Sequence, residues 1–215
     1  MKNFSITPIE IIKSFTKNRS LIYQMSKREV VGRYKGSLMG LLWSFFNPAL
    51  MLVIYTFVFS IIFKARWPGV TNNLEFAGIL FAGLIIYSLF SECISRSPSL
   101  ILSNVNYVKK VIFPLEILSW IALGSSLFHA SVSVIVLLGF MLFLTGGLHW
   151  TVVLFPLVIF PLLLLTMGIS WILASLGTYS RDIGQVISFI VMAMMFMSPI
   201  FFPSSAFPES YRVLF

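Results

Sequence analysis

The sequence predicts an all-α polytopic membrane protein, and three observations carry that prediction. Of its 215 residues, 58% are hydrophobic and only 10% are charged, with a mean hydropathy of +0.96. A soluble domain is roughly a quarter charged, so this chain lacks the polar side chains to cover a water-facing surface. Second, five stretches, at about 38–63, 74–94, 116–145, 150–179 and 183–202, are long and apolar. Each is sufficient for a hydrocarbon core of about 30 Å, which takes about 20 helical residues. Third, backbone groups in lipid must be paired within their own segment, which makes these stretches helices.

The region before the first span, residues 1–37, is too polar to cross. It carries Lys2, Lys13, Lys17, Arg19, Lys27, Arg28, Arg33 and Lys35. Tyr23, Val30, Val31 and Tyr34 can share one face, with Lys27 snorkelling beside them, which predicts a basic amphipathic helix lying on the membrane surface. Gly32, Gly36 and Gly40 follow at four-residue intervals, although each glycine costs a helix about 1 kcal/mol relative to alanine. Such spacing suits close helix approach in a membrane, and glycine equally suits an elbow where the backbone turns. Arg33 and Lys35 put the three glycines at the membrane boundary. That position favours an elbow, where bulk is expected to jam movement, over a mid-membrane dimer seam.

The spans at 38–63, 116–145 and 150–179 exceed the minimum and must tilt or kink. Pro48, Pro156, Pro161 and Pro199 are the candidate kinks, since each removes a backbone donor. Charge sets the orientation. The N-terminal cluster, Arg96, Lys109, Lys110 and Arg181 place twelve basic residues on one side; Lys64, Arg66 and Arg212 place three on the other. The positive-inside bias makes the N-terminus cytoplasmic, and the net charge of +8 is then used in topology rather than in binding nucleic acid. The stretch after Phe202 is punctuated by Pro203 and Pro208 and then turns apolar again. It is expected to lead into a further span beyond Phe215.

Motifs for chemistry in this chain are absent. There is no G-x-x-x-x-G-K-[ST], no H-E-x-x-H and no G-x-S-x-G. The single cysteine, Cys93, allows neither an internal disulfide nor a Cys-rich metal site. His149 falls at the outer interface. His129 falls within the third span among Ala122, Ser125, Ser126, Ala130 and Ser133, which favours a buried, hydrogen-bonded imidazole over a proton relay. Glu92, Glu116 and Asp182 lie near cytoplasmic span ends, where Arg96, Lys110 and Arg181 can pair with them. Tyr55, Phe59 and Phe63 recur every four residues in the first span; Phe189 and Phe196 share a face of the fifth. These aromatic stripes fit either a path for sugar rings or ordinary contact with lipid and neighbouring helices. Trp67 and Trp150 fit an outer interfacial belt. In the connection from Pro98 to Pro114, the spacing of Leu100, Ile101, Val105 and Val108 predicts a short amphipathic helix under the membrane. It can serve as a force-bearing contact or a plain connector, and the Ser180–Gly184 turn faces the same side.

Taken together, R-E-V-V-G-R-Y-K-G-S-L-M-G-L-L-W-S-F-F-N-P, N-Y-V-K-K-V-I-F-P-L-E, S-R-D-I-G-Q and M-S-P-I-F-F-P resemble the permease subunit of ABC-2 type exporters. The similarity is to the branch exporting lipid-linked polysaccharides such as O-antigen, capsule or polyol phosphates, and it runs in order from about Ser20 to Pro203. The resemblance implies a six-span fold, of which five are visible, in the bacterial inner membrane. It implies a homodimer docked to a separate ATP-binding subunit, which would hold ATP and magnesium, with no cofactor or catalytic group in this chain. It assigns the surface helix to about residues 8–35. Contact with the ATPase falls to Ser97, Asn104, Asn106, Tyr107, Lys109 and Lys110, with Arg181 and Asp182 of the later turn. A channel lined by the first and fifth spans would include Tyr55, Phe59, Phe63, Phe189 and Phe196. An exporter of small molecules would share this topology; an intramembrane lipid or sugar transferase would instead need an acid–base cluster.

Overall fold

The computed structural model describes residues 8–62, 73–110, 113–147 and 150–201. Phe63, Trp67, His149 and the segment from residue 202 onward lie outside the described residues, as do the side chains of Val108, Lys109 and Lys110. The chain begins with α1 (Pro8–Tyr34), a 3-10 turn (Gly40–Leu42) and α2 (Trp43–Tyr55), which widens into a π-helical stretch (Thr56–Ile62). After α3 (Asn73–Arg96) come a second 3-10 turn (Ser97–Ser99), α4 (Leu100–Ser103) and α5 (Val105–Lys110). Then follow α6 (Ile117–Thr145), a 3-10 turn (Trp150–Leu154), α7 (Phe155–Tyr179) and α8 (Asp182–Met197).

Four helices among the described residues have the length and apolarity to cross a membrane: Gly40–Phe59, Leu74–Ser103, Ile117–Thr145 and Trp150–Tyr179. The fifth expected span, at 183–202, is helical only to Met197, with Ser198 extended and Pro199 just beyond. Its 16 residues reach about 24 Å at the helical rise. Of the other expected kinks, Pro156 sits in the first turn of α7, where the missing donor costs nothing. Pro48 and Pro161 lie inside α2 and α7.

α3 is the central helix, packed against α2, α6, α7 and α8. Its buried side chains serve stacked clusters along its length. Phe76, Leu80 and Leu84 meet Tyr55, Phe59, Met195 and Phe201. Phe81, Ile85 and Leu89 join Leu52, Ala130, Val136 and Ile159, and Cys93 meets Leu123 and Met167. Small residues bring the helices close, as membrane packing requires: Thr166, Ser170 and Ala174, one at every fourth position, form a buried stripe on α7. At the C-terminus of α6, Gly146 takes a left-handed cap (φ 71) and its N–H closes on Leu142 O at 3.0 Å.

α1 lies along the N-terminal half of α6 rather than on lipid alone. Its buried ridge is Ile22, Ser26 and Val30, one residue every helical turn. The expected face is met in part: Val30 is buried and Tyr34 half-buried, but Tyr23 is 68% exposed and Val31 42% exposed. The correction has a steric cause, since Ser26 fits against Gly124, where a Cβ would lie 2.6 Å from the Ser26 hydroxyl. Ser26 Oγ also donates to Ile121 O at 3.2 Å. The connection after α3 departs from expectation too. It forms two short helices broken at Asn104, whose amide donates to Leu100 O at 2.8 Å and closes α4.

A candidate coupling face

The connection after α3 is held in place by contacts that leave little slack. Pro98 is buried and lies against Gly177 of α7, where a Cβ would come within 2.0 Å of the Pro98 carbonyl oxygen. Gly184, at the start of α8, faces the Pro98 ring across 3.9 Å from its own Cβ position. Pro98 is therefore seated between the end of α7 and the turn that leads into α8. Ser97, beside it, is fully buried; its hydroxyl donates to Cys93 O (2.6 Å) and hydrogen-bonds with the Ser170 hydroxyl (2.7 Å). With no exposed surface, Ser97 anchors the loop from within. The resemblance assigns Ser97 a partner contact; in this fold its surface is covered by its own chain.

The other residues of the connection divide by exposure. Asn106 is exposed, and so are Arg181 and Asp182 in the adjoining turn. Asn104 is half-buried and engaged in its own helix cap. Tyr107 is half-buried and turned toward α1. Its hydroxyl accepts a hydrogen bond from Arg28 Nη2, the Arg28 guanidinium lies 5.8 Å from its ring centroid, and Phe113 stacks on it at 5.3 Å. The Arg28 contact joins the connection to the surface helix, an arrangement that spacing alone did not indicate. The missed signals are an arginine on α1 and glycines at the ends of α7 and α8, and they became informative only once paired in space.

A ladder of alternating charge ties α1 to α3. Glu29 pairs with Arg96 at 2.5 Å, Arg96 approaches Glu92 at 3.6 Å, and Glu92 also bonds Arg33. The Glu92–Arg96 pair expected from sequence is present, with Arg33 as the nearer partner of Glu92. These side chains are 23–40% exposed, so each pair contributes at most about 1 kcal/mol; their value is in fixing the register of two helices. Glu116 accepts from the Ser14 hydroxyl at 2.7 Å; the Lys110 side chain expected beside it lies outside the described residues.

At the end of α1, Tyr34 Oη lies 3.4 Å from His129 Nδ1, with the rings edge-on at 5.9 Å. Burial raises the Tyr34 phenol above its ordinary pKa; Arg33 opposes this and Glu92 adds to it. Tyr34 thus keeps its proton and can donate it to His129. Because Tyr34, adjacent to Arg33 on α1, reaches His129, the histidine sits beside the charge ladder.

The elbow glycines are not one helical face, because α1 ends at Tyr34. Gly36 and Gly40 have positive φ (89 and 52), whereas Gly32 is helical. A Cβ at any of the three would meet nothing within 4 Å, so crowding is not what requires glycine here. Of the aromatic stripes, Phe59 stacks on Phe201 at 5.7 Å and meets Phe76 at 6.4 Å, and Tyr55 packs beside it at 6.4 Å. Phe189 and Phe196 are 70% and 66% exposed on α8.

Comparison with known proteins gives a consistent picture. The profile of the family described as ABC-2 type transporter matches residues 20–215. The chain is 28% identical over 207 residues to the O-antigen export system permease protein RfbA of Myxococcus xanthus, covering 96% of this chain and 77% of that one. Two proteins of the same description from Klebsiella pneumoniae are 29% and 28% identical over 193 residues, covering 89% of this chain and 72% of theirs.

Proposed function

The chain belongs to the ABC-2 type transporter family, and from that premise we propose that it is the permease subunit of an ATP-driven exporter of O-antigen. In this reading a lipid-linked polysaccharide passes from the cytoplasm to the outer side of the bacterial inner membrane. The names of the similar proteins support the substrate class. Two copies form the path, and a separate ATP-binding subunit holds ATP and magnesium and docks on the cytoplasmic side.

The observation that carries the mechanism is the seat of Pro98 between Gly177 and Gly184. A push on the exposed residues Asn106, Arg181 or Asp182 reaches α7 through the close packing of Pro98 on Gly177, with Gly184 of α8 beside the Pro98 ring. The same push reaches α1 through Tyr107 and Arg28. Lys109 and Lys110 stand next along α5 as further partner contacts. Phe189 and Phe196, exposed on α8, are the lining residues offered to the second copy across the path.

The test is a Tyr107→Ala, Arg181→Ala double variant co-expressed with its ATP-binding subunit. ATP hydrolysis should persist while surface O-antigen falls about 5–150-fold, the range of a typical lost coupling energy. Undiminished export by this variant overturns the coupling role.

A further inference from the structure

A cavity of about 320 Å³ lies beside the elbow, enclosed by the end of α1, α2, α3 and α6, with Met195 of α8 closing one side. Its size falls within the span of ligand pockets, about 300–1,000 Å³. We propose that this cavity is a binding site for a neutral sugar unit, which rests on the reading that the chain moves a glycan and names a place where it is held.

Three features select that ligand chemistry. First, the wall is rich in groups that bond a hydroxyl: Tyr34, Ser88, His129 and Ser133 all line it. A sugar hydroxyl both donates and accepts, so it pairs with any of them. Second, the charges at the site cancel. Arg33 and Arg96 are matched by Glu92 and Glu29, so no uncompensated cation remains to draw in a phosphate or diphosphate. Third, the lining combines polar and flat apolar surfaces. The Asn47 amide both donates and accepts, the Glu92 carboxylate accepts, and the Tyr55 and Tyr87 rings give apolar faces. A sugar ring has a hydroxyl edge and a C–H face, and a wall of this composition serves both at once.

The placement suits a holding site near the cytoplasmic boundary. Arg33 and Glu92, on the cavity wall, are 40% and 23% exposed, so solvent reaches the cavity on the side of the charge ladder. Met51, Leu84 and Leu89 form part of the remaining wall. They exclude water there and strengthen the polar contacts opposite.

The full-length permease, held with its ATP-binding partner in lipid nanodiscs, provides the test. Saturation-transfer NMR is run with methyl α-glucoside, methyl α-mannoside and N-acetylglucosamine, and phosphorus NMR with inorganic diphosphate. Transfer to ring protons of at least one glycoside is expected, undisturbed by excess diphosphate. Asn47→Leu, which leaves every ion pair intact, should weaken that binding about fivefold or more, as the loss of one hydrogen bond does. If its unfolding midpoint falls, the smaller Asn47→Ser replaces it in the same measurement. Absence of transfer to all three glycosides, displacement by diphosphate, or unchanged binding in a folded Asn47 variant each overturns the site. Intact O-antigen export without glycoside binding removes the site and leaves the transport reading standing. Glycoside binding in a protein whose deletion leaves surface O-antigen unchanged does the reverse.

Discussion

Gly36 and Gly40 hold positive φ angles with open space around them, so what they contribute is backbone freedom. A Cβ in the left-handed region costs about 1–2 kcal/mol. Gly32 is inside α1 with equal space, where alanine gains about 0.5–1 kcal/mol by restricting the unfolded chain and favouring the helix. Gly36→Ala should therefore lower the thermal unfolding midpoint of the nanodisc-held protein, and Gly32→Ala should raise it. Shifts of the same sign in both would rule out the dihedral explanation. Gly177 works in the opposite way, since it is needed for space. Its Cβ would overlap the Pro98 carbonyl, and neither atom is the end of a flexible side chain.

At the scale of elements, α1 acts as a strap joining the connection after α3 to the elbow. Its C-terminal half holds Arg28 on Tyr107, Glu29 on Arg96, Val30 in the core and Arg33 on Glu92. The N-terminal part adds Phe15 against Trp120, with ring centroids 4.5 Å apart. If the Arg28–Tyr107 contact bears load, the two side chains must be energetically coupled. A double-mutant cycle of Arg28→Ala and Tyr107→Ala, read by unfolding, should give about 0.5–1 kcal/mol of interaction, as an exposed cation–π pair does. Additive losses would mean that the two groups are merely adjacent. Asn104 sets the angle of this unit by ending α4 and starting α5 afresh, a break that the apolar spacing of Leu100, Ile101 and Val105 did not reveal. Periodicity reports which side chains are apolar; an amide folding back onto Leu100 O is a competing local hydrogen bond that it does not register.

For the whole molecule, much of the apolar surface of α2, α7 and α8 is uncovered. Val53, Phe57, Leu157, Val158, Phe189 and Phe196 are all more than half exposed. Lipid and a second copy are the available covers. Orientation can be tested cleanly because Cys93 is the sole cysteine and is 2% exposed. In a Cys93→Ser background, a membrane-impermeant maleimide added outside should label Gly147→Cys and spare Lys27→Cys until the membrane is opened. The reverse pattern would invert the topology. Both positions are exposed in the fold, so protection would report the membrane and not burial.

The amino-acid sequence by itself determined that this chain is helical, lies in a membrane and carries a basic segment before its first span. Those properties follow from local sums of hydropathy and charge over about 20 residues, which need no knowledge of neighbours. The elbow was legible in the same way, because Gly36 and Gly40 lie between a polar helix and an apolar one. Only the tertiary structure decided which face of α1 is buried, that Ser97 is an anchor, and that Phe59 packs against Phe76 and Phe201. Only it joined Arg33 to Glu92 across 59 residues of sequence and set Pro98 against Gly177. The reason is steric: a helix offers several comparable faces, and the choice among them is made by close contacts with residues far away in the chain.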